Sequence, residues 1–354
     1  MYGVKLYSVP KNLDATIDLW HQLGFDTLFI GQACKTDSDF LERLQTEGFF
    51  VNLIEPVFLA DETTDKRLLA VTKDGTPAVD TWVRFVCPTN KEWLDSFYER
   101  FAADSKLNVN SLSLDFIRFF QFWEVINPDS TSPNLKETCY CPRCLEQRRA
   151  FREANPTSSQ QEDDELWRCS IINQIVSNCL RIKNEAMNDA GTNELNDDLG
   201  TSSASSTSAN VKKLGLHAVP WKKSTFNGAL SRILGQNLST LSKSVDFFTP
   251  MAYHHMIHQD VSYIKDLVED IENQINVVEE KNNVNCRREI VPSVQLKKYY
   301  RDEDISLEEN FQTIMTAMEA GRGNVVYFQW TDIEENPKIT ALLKDFYTTY
   351  KNYK

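Results

Sequence analysis

Between Ser111 and Glu124 the chain reads SLSLDFIRFFQFWE. Leu112, Leu114 and Phe116 share one parity, while Ser111, Ser113 and Asp115 share the other. Alternate side chains of a strand leave on opposite faces. The stretch therefore reads as a strand with one apolar face for helices and one small, polar face that ends on a carboxylate. Arg118, Trp123 and Glu124 follow at once. Two carboxyl groups across a scissile bond, one protonating the departing oxygen and one acting as nucleophile or base, are the machinery of glycosidic cleavage. Asp115 is the candidate nucleophile or base. Glu124 is the candidate acid, because the aromatic surface beside it raises a carboxyl pKa. Glu55, at the end of FFVNLIE, is the reserve, and Asp332 is a further option. Arg118 has three possible uses: to pin Asp115, to lower its pKa, or to meet an acidic sugar.

A second group is Cys139, Cys141 and Cys144, spaced Cys-x-Cys-x2-Cys. Three such thiolates can wrap one soft cation, and a structural zinc takes four ligands in a tetrahedron. Cys87 is the expected fourth ligand, because the loops after neighbouring strands lie side by side; Cys34 is the second choice. Four thiolates leave no position for water, so this zinc would pin loops and not catalyse. Chance surface cysteines or a redox triplet are the alternatives. Cys169 and Cys179 recur with Ile172 and Val176 at helical spacing and read as core. His254, His255 and His258 open a rival reading, a metal-dependent hydrolase, against a plain helical surface.

The elements that must position these groups alternate in kind. Strands are expected at 3–8, 26–31, 49–55, 111–116, 214–221, 245–253, 290–295 and 324–330. Each is followed by a helical pattern, over 13–23, 38–45, 91–101, 145–154 with 164–187, 226–241, 261–275, 307–320 and 337–350. Strands separated by helices, with no hairpin signal, imply a parallel sheet. The pattern predicts a single (β/α)8 TIM barrel over residues 1–354, with long loops after strands three and four. A doubly wound open sheet is the runner-up, but LYSVPKN after strand one has no glycine-rich phosphate turn. Residues 188–210 are Ser, Thr, Asn, Asp and Gly with little to bury, and read as a disordered insertion before strand five.

In such a barrel the loops after strands form the catalytic face. Trp221, Tyr253 and Trp330 are expected there as stacking surfaces for a sugar. Lys5, Tyr7, Arg118, His217, His254 and Gln295 are expected to contact its hydroxyls.

The chain has 354 residues and a net charge of −13. That charge argues against nucleic acid or an anionic membrane as partner. The N-terminal MYGVKLYSVPKN has no apolar core of a signal peptide, and no apolar run approaches a membrane span. A cytoplasmic location is expected, in which eight cysteines do not form a disulfide framework. The oligomeric state is not legible.

Two resemblances add to this. CPTN (87–90) followed by the Cys-x-Cys-x2-Cys loop is similar to the structural zinc site of family-42 glycoside hydrolases, the β-galactosidases. Those enzymes carry Asn-Glu at strand four and a nucleophilic Glu at strand seven; here the positions offer Asp115 and Gln295. LDFIRF (114–119), WE (123–124), CYCPRC (139–144), VPW (219–221), TPMAYHH (249–255) and PSVQ (292–295) together resemble a broad group of glycoside-hydrolase-like TIM barrels. The resemblance implies a carbohydrate substrate and hydrolysis of an O-glycosidic bond at the barrel mouth. The alternative from another class is a barrel that binds carbohydrate without cleaving it.

Overall fold

The computed structural model describes residues 1–194, 211–282 and 288–353. The parallel strands are β1 (Tyr2–Leu6), β2 (Thr27–Ile30), β3 (Phe50–Pro56), β4 (Ser111–Asp115), β5 (Lys213–Ala218), β6 (Phe247–Pro250), β7 in two pieces (Glu289–Ile290 and Ser293–Gln295) and β8 (Val325–Phe328). Proline has no N–H for a ladder, and Pro292 sits at the break in β7. The pairing order is Glu289–Ile290, β6, β5, β4, β3, β2, β1, β8, Ser293–Gln295. The two edges of this sheet are thus neighbouring pieces of one run. At the break, the Val291 N–H donates to the Phe248 carbonyl at 2.8 Å, and the Val326 N–H donates to the Pro292 carbonyl at 2.9 Å. The sheet curls until it meets itself, a TIM-like arrangement.

The helices are α1 (Leu13–Leu23), α2 (Ser38–Thr46), α3 (Lys91–Asp104), α4 (Pro142–Ala154), α5 (Gln160–Glu194), α6 (Ala229–Arg232), α7 (Leu238–Leu241), α8 (Ser262–Asn282), α9 (Leu307–Ala320), α10 (Trp330–Glu334) and α11 (Pro337–Tyr353). Asn12 caps α1 by accepting from the Ala15 N–H, and Gly24 ends it at φ 75°. Most of the apolar core lies between sheet and helices, with Leu53, Leu112 and Leu114 among its members. A smaller cluster of Phe29, Ile54, Phe247, Val291 and Val326 fills the inside of the curl. Gly215 makes room there, since a Cβ on it would lie 2.1 Å from the Phe247 ring.

Four expectations are corrected. The helix expected over 226–241 is two single turns, α6 and α7, because Asn227, Gly228 and Gly235 take left-handed φ of 56°, 77° and 73°. The loop 57–90 contains a three-stranded antiparallel sheet of Leu59–Ala60, Val79–Asp80 and Val83–Phe85. Its tight turn at Thr81 and Trp82 lacks the Asn-Gly type of signal that marks most hairpins. The last strand stops at Phe328, and Trp330 opens α10, whose Asp332 and Gln329 side chains form a capping box. Residues 188–194 of the expected insertion continue α5, while 195–210 lie outside the described residues, as does Cys286. Among the described residues no helix is long and apolar enough to cross a membrane.

Candidate active site and cysteine centre

At the C-terminal ends of the strands is a cavity of about 410 Å³, whose lining includes Lys5, Tyr7, Asp115, Glu124 and Tyr253. The inward parity of β4 supplies Asp115 and, deeper, Ser113 and Ser111. These serines begin a polar ladder that crosses the inside of the sheet. Ser111 donates to Asn52 Oδ1 at 2.7 Å, and Asn52 Nδ2 donates to Ser113 Oγ at 2.7 Å. Ser113 Oγ lies 2.9 Å from His217 Nε2, and Lys5 Nζ lies 3.4 Å from His217 Nδ1. Lys5 also donates to the Tyr253 hydroxyl at 3.1 Å, which lies 3.0 Å from Ser293 Oγ. Every side chain in the ladder is buried, so each polar group needs the partner it has.

Asp115 is 7% exposed and accepts from the Phe116 N–H at 2.7 Å. Phe116 itself holds φ 52°, a left-handed conformation that costs a bulky residue roughly 1–2 kcal/mol. Burial raises the Asp115 pKa, while Lys5, the Phe116 amide and Arg118 pull it down. Lys5 is itself held down to about 8 by burial, against the charge of Asp115. Glu124 lies in a short 3₁₀ turn, Trp123–Val125. Burial pushes its pKa up to about 7, against the pull of Arg118, and among the described residues its Oε2 has no hydrogen-bond partner. Arg118 is buried and does not line the cavity. Its Nη1 donates to the carbonyls of Gln121 (2.8 Å) and Phe119 (3.3 Å), and its guanidinium lies 4.7 Å from the Phe85 ring centroid. Its charge lowers the pKa of both carboxyl groups.

Tyr7 and Tyr253 line the cavity, and the remaining expected site residues lie elsewhere. Glu55 takes the outward parity of β3, since Ile54 and Pro56 face the cavity. It is fully buried 3.8 Å from Arg100, and burial together with Asp104 raises its pKa. Gln295 is engaged by backbone at both ends, accepting from the Met256 N–H at 3.0 Å and donating to the Lys297 carbonyl at 2.9 Å. His217 belongs to the ladder. Trp330 packs edge-on against Trp20 at 5.6 Å, and Trp221 edge-on against Phe226 at 5.3 Å; both are core, not cavity wall. Asp332 accepts from the Tyr299 hydroxyl and pairs with Lys297 at 3.3 Å. His254 Nε2 lies 3.1 Å from Glu309. Among the described residues, the histidines form no metal-ligating group.

Sequence reading missed most of the aromatic wall. Trp82, Phe116, Trp123, Tyr299, Tyr300 and Phe328 line the cavity. Tyr253 stacks on Phe328 at 5.0 Å and tilts toward Trp123 at 6.1 Å. Tyr299–Tyr300 (KKYYRD) stand in an otherwise polar loop, which was the available signal, whereas Trp82 (DTWVRFV) is masked by the apolar residues beside it.

The four cysteines Cys87, Cys139, Cys141 and Cys144 do converge, with their sulfurs all within 4.8 Å of one another. Cys87 Sγ lies 3.4 Å from Cys144 Sγ and 3.8 Å from Cys141 Sγ. A tetrahedral ion with M–S bonds of about 2.3 Å puts its sulfurs about 3.8 Å apart, so the group is able to hold a metal ion. The Val71 N–H points at Cys139 Sγ at 3.3 Å, and Arg143 Nη2 at Cys87 Sγ at 3.6 Å. Donors of this kind stabilise bound thiolates. Pro142 starts α4, so the helix's first turn carries Cys144 and its cap is Cys141. Cys34, the second choice for a ligand, is buried apart from the group, near the Leu6 carbonyl at 3.8 Å.

No family model matches the chain, and no curated protein matches it in sequence. Solved structures do match. The glycoside hydrolase domain of PgaB (BpsB) from Bordetella bronchiseptica aligns with a TM-score of 0.64 at 13% identity, over 97% of this chain and 98% of that one. The β-galactosidase of the psychrophilic Marinomonas ef1 aligns at 0.63 and 10% identity, over 93% of this chain and 54% of that one. A catalytic mutant of Gan42B, a GH42 β-galactosidase from G. stearothermophilus, aligns at 0.61 and 10% identity, over 97% and 56%. The chain thus spans about half the length of these β-galactosidases. The resemblance expected from its motifs is met at the level of the fold, which this chain shares with glycoside hydrolase domains.

Proposed function

We propose that the protein is a single (β/α)8 barrel that hydrolyses an O-glycosidic bond of a carbohydrate. One observation carries this reading: Asp115 and Glu124 both line one aromatic-walled cavity at the C-terminal ends of the strands. In a barrel of this kind, that face is where catalytic groups stand. Their surroundings differ in the way an acid–base pair needs. Glu124, shifted to about 7 by burial, is the general acid and protonates the departing oxygen. Burial raises the Asp115 pKa as well, but Lys5, the Phe116 amide and Arg118 all oppose that rise, and Asp115 is the nucleophile or base. In the overall step, water's hydroxyl joins the anomeric carbon and a proton joins the departing oxygen. Tyr7, Lys5 and Tyr253 are the polar groups offered to the sugar, and Trp82, Trp123 and Tyr300 the surfaces on which its C–H faces stack.

The four cysteines hold a structural zinc in this reading. It joins the loop after β3 to the loop after β4 and takes no part in the chemistry, since all four positions are filled by sulfur.

The test is a panel of aryl glycosides and oligosaccharides against the protein and its Asp115→Asn and Glu124→Gln variants. Turnover lost in both variants supports the assignment. Turnover unaffected by either change overturns it, and glycan binding without any turnover favours the non-catalytic carbohydrate-binding alternative.

A further inference from the structure

The loops that rim the cavity are long on one side and short on the other. β1 reaches α1 through residues 7–12, β2 reaches α2 through residues 31–37, and β8 reaches α10 through Gln329 alone. The loops after β3, β4, β5, β6 and β7 are longer, at residues 57–90, 116–141, 219–228, 251–261 and 296–306. These loops are tied to one another. Lys136 pairs with Asp80 at 2.8 Å, linking the loops of β4 and β3 beyond the cysteine group. Gln259 Nε2 donates to Asn127 at 3.0 Å and to Asp129 at 2.9 Å, linking those of β6 and β4. Arg301 Nη1 donates to the His255 carbonyl at 3.0 Å, linking those of β7 and β6.

One tie crosses the opening. β3 and β7 are four places apart in the curled sheet whichever way round it is followed, so their loops rise from opposite sides of the mouth. Trp82, on the first loop, donates its indole N–H to the hydroxyl of Tyr300, on the second, at 2.7 Å. Phe122, from the loop of β4, fills the space on the walled side, 5.4 Å from Tyr300 and 6.5 Å from Trp82. Each end of the tie is set by a left-handed residue, Thr81 at φ 49° and Tyr300 at φ 58°.

We infer that the site, on the hydrolase reading above, takes the end of a sugar chain and not its interior. A terminal sugar enters over the short loops of β8, β1 and β2 and meets the Trp82–Tyr300 tie with the wall behind it. A chain cannot continue across a mouth barred along its diameter, whereas an open groove would let it pass. Trp82 and Tyr300 are therefore specificity-determining residues, and the expected cleavage releases one terminal unit at a time.

The experiment uses reducing-end-labelled cello-, galacto-, malto- and chitohexaose with the full chain, its first products separated by chromatography. A monosaccharide with a chain shorter by one unit is the expected first pair of products. Internal fragments as the main first products overturn the inference while leaving the hydrolase reading intact. A Trp82→Ala variant is expected to lose this exclusivity and yield internal fragments; a product pattern unchanged in that variant overturns the assignment to the tie. If none of the probes is cleaved, the hydrolase reading fails for them, and binding of the same labelled sugars, from dimer to hexamer, decides the rim. Affinity that levels off after the first units supports an end-binding site. Affinity that keeps rising to the hexamer, or no binding at all, overturns it.

Discussion

Lys5 Nζ lies 3.4 Å from Nδ1 of His217, and the ring's other nitrogen lies 2.9 Å from the hydroxyl of Ser113. An ammonium group only donates, so Nδ1 accepts and Nε2 carries the ring proton toward Ser113. His217 is thus held neutral, its pKa well below the ordinary value through burial and the neighbouring Lys5. The ladder from Ser111 to Ser293 in this way presents one cation to the cavity, next to Asp115. Lys5 lowers the Asp115 pKa, so Lys5→Met is expected to raise it. The acidic limb of the pH–rate profile should move to higher pH and kcat/KM should fall. An unmoved acidic limb would separate Lys5 from the titration of Asp115.

Glu124 must be protonated to act as an acid, and its pKa is raised to about 7. Activity is therefore expected to fall as pH rises through about 7. Glu124→Gln should lose this alkaline limb and slow hydrolysis of an alkyl glycoside by roughly 10²–10⁴-fold. The loss should be far smaller for an aryl glycoside whose leaving oxygen needs no proton. Equal losses on both substrates would place the acid elsewhere.

Glu55 predicts a pH effect on stability without one on catalysis. Burial and Asp104 raise its folded-state pKa above the usual glutamate value. The folded protein then holds a proton that the unfolded chain has released, so stability falls as pH rises from the ordinary glutamate pKa toward the raised one. Glu55→Gln removes this dependence. Melting temperatures of the two proteins are expected to diverge in favour of the variant as pH increases from 5 toward 8. A constant difference across that range would mean that Glu55 ionises normally in the fold.

Metal analysis of the reduced protein is expected to give about one zinc per chain. Cys141→Ser should lose it, melt at lower temperature and become open to proteolysis within residues 57–90 or 116–141. Cys34→Ser should keep the zinc, because Cys34 stands outside the cluster. A well-folded wild-type preparation without metal would remove the zinc reading and leave the hydrolase reading untouched.

Trp330 distinguishes core from binding surface. It is 2% exposed and packs on Trp20. Trp330→Ala is expected to cost about 3–5 kcal/mol of stability in denaturant unfolding, with KM little changed at a temperature where the variant is folded. A large rise in KM without loss of stability would return Trp330 to the sugar site.

Local pattern and composition determined much of this protein. The alternation of apolar strands and amphipathic helices is a short-range property, and it predicted the parallel sheet and its element order. Parity along SLSLD placed Asp115 on the inward face, because a strand's period of two is set by the backbone alone. The Cys-x-Cys-x2-Cys spacing, read with Cys87 in the neighbouring loop, identified four residues whose sulfurs converge. Tertiary structure decided the rest. Glu55 and Trp330 end apolar runs just as Asp115 does, yet the first turns outward to Arg100 and the second starts a helix against Trp20. Trp82 and Tyr300 are separated by 218 positions, and only the curl of the sheet brings them to 2.7 Å across the mouth. No local rule reports such a contact, because its geometry is the sum of every strand pairing between them.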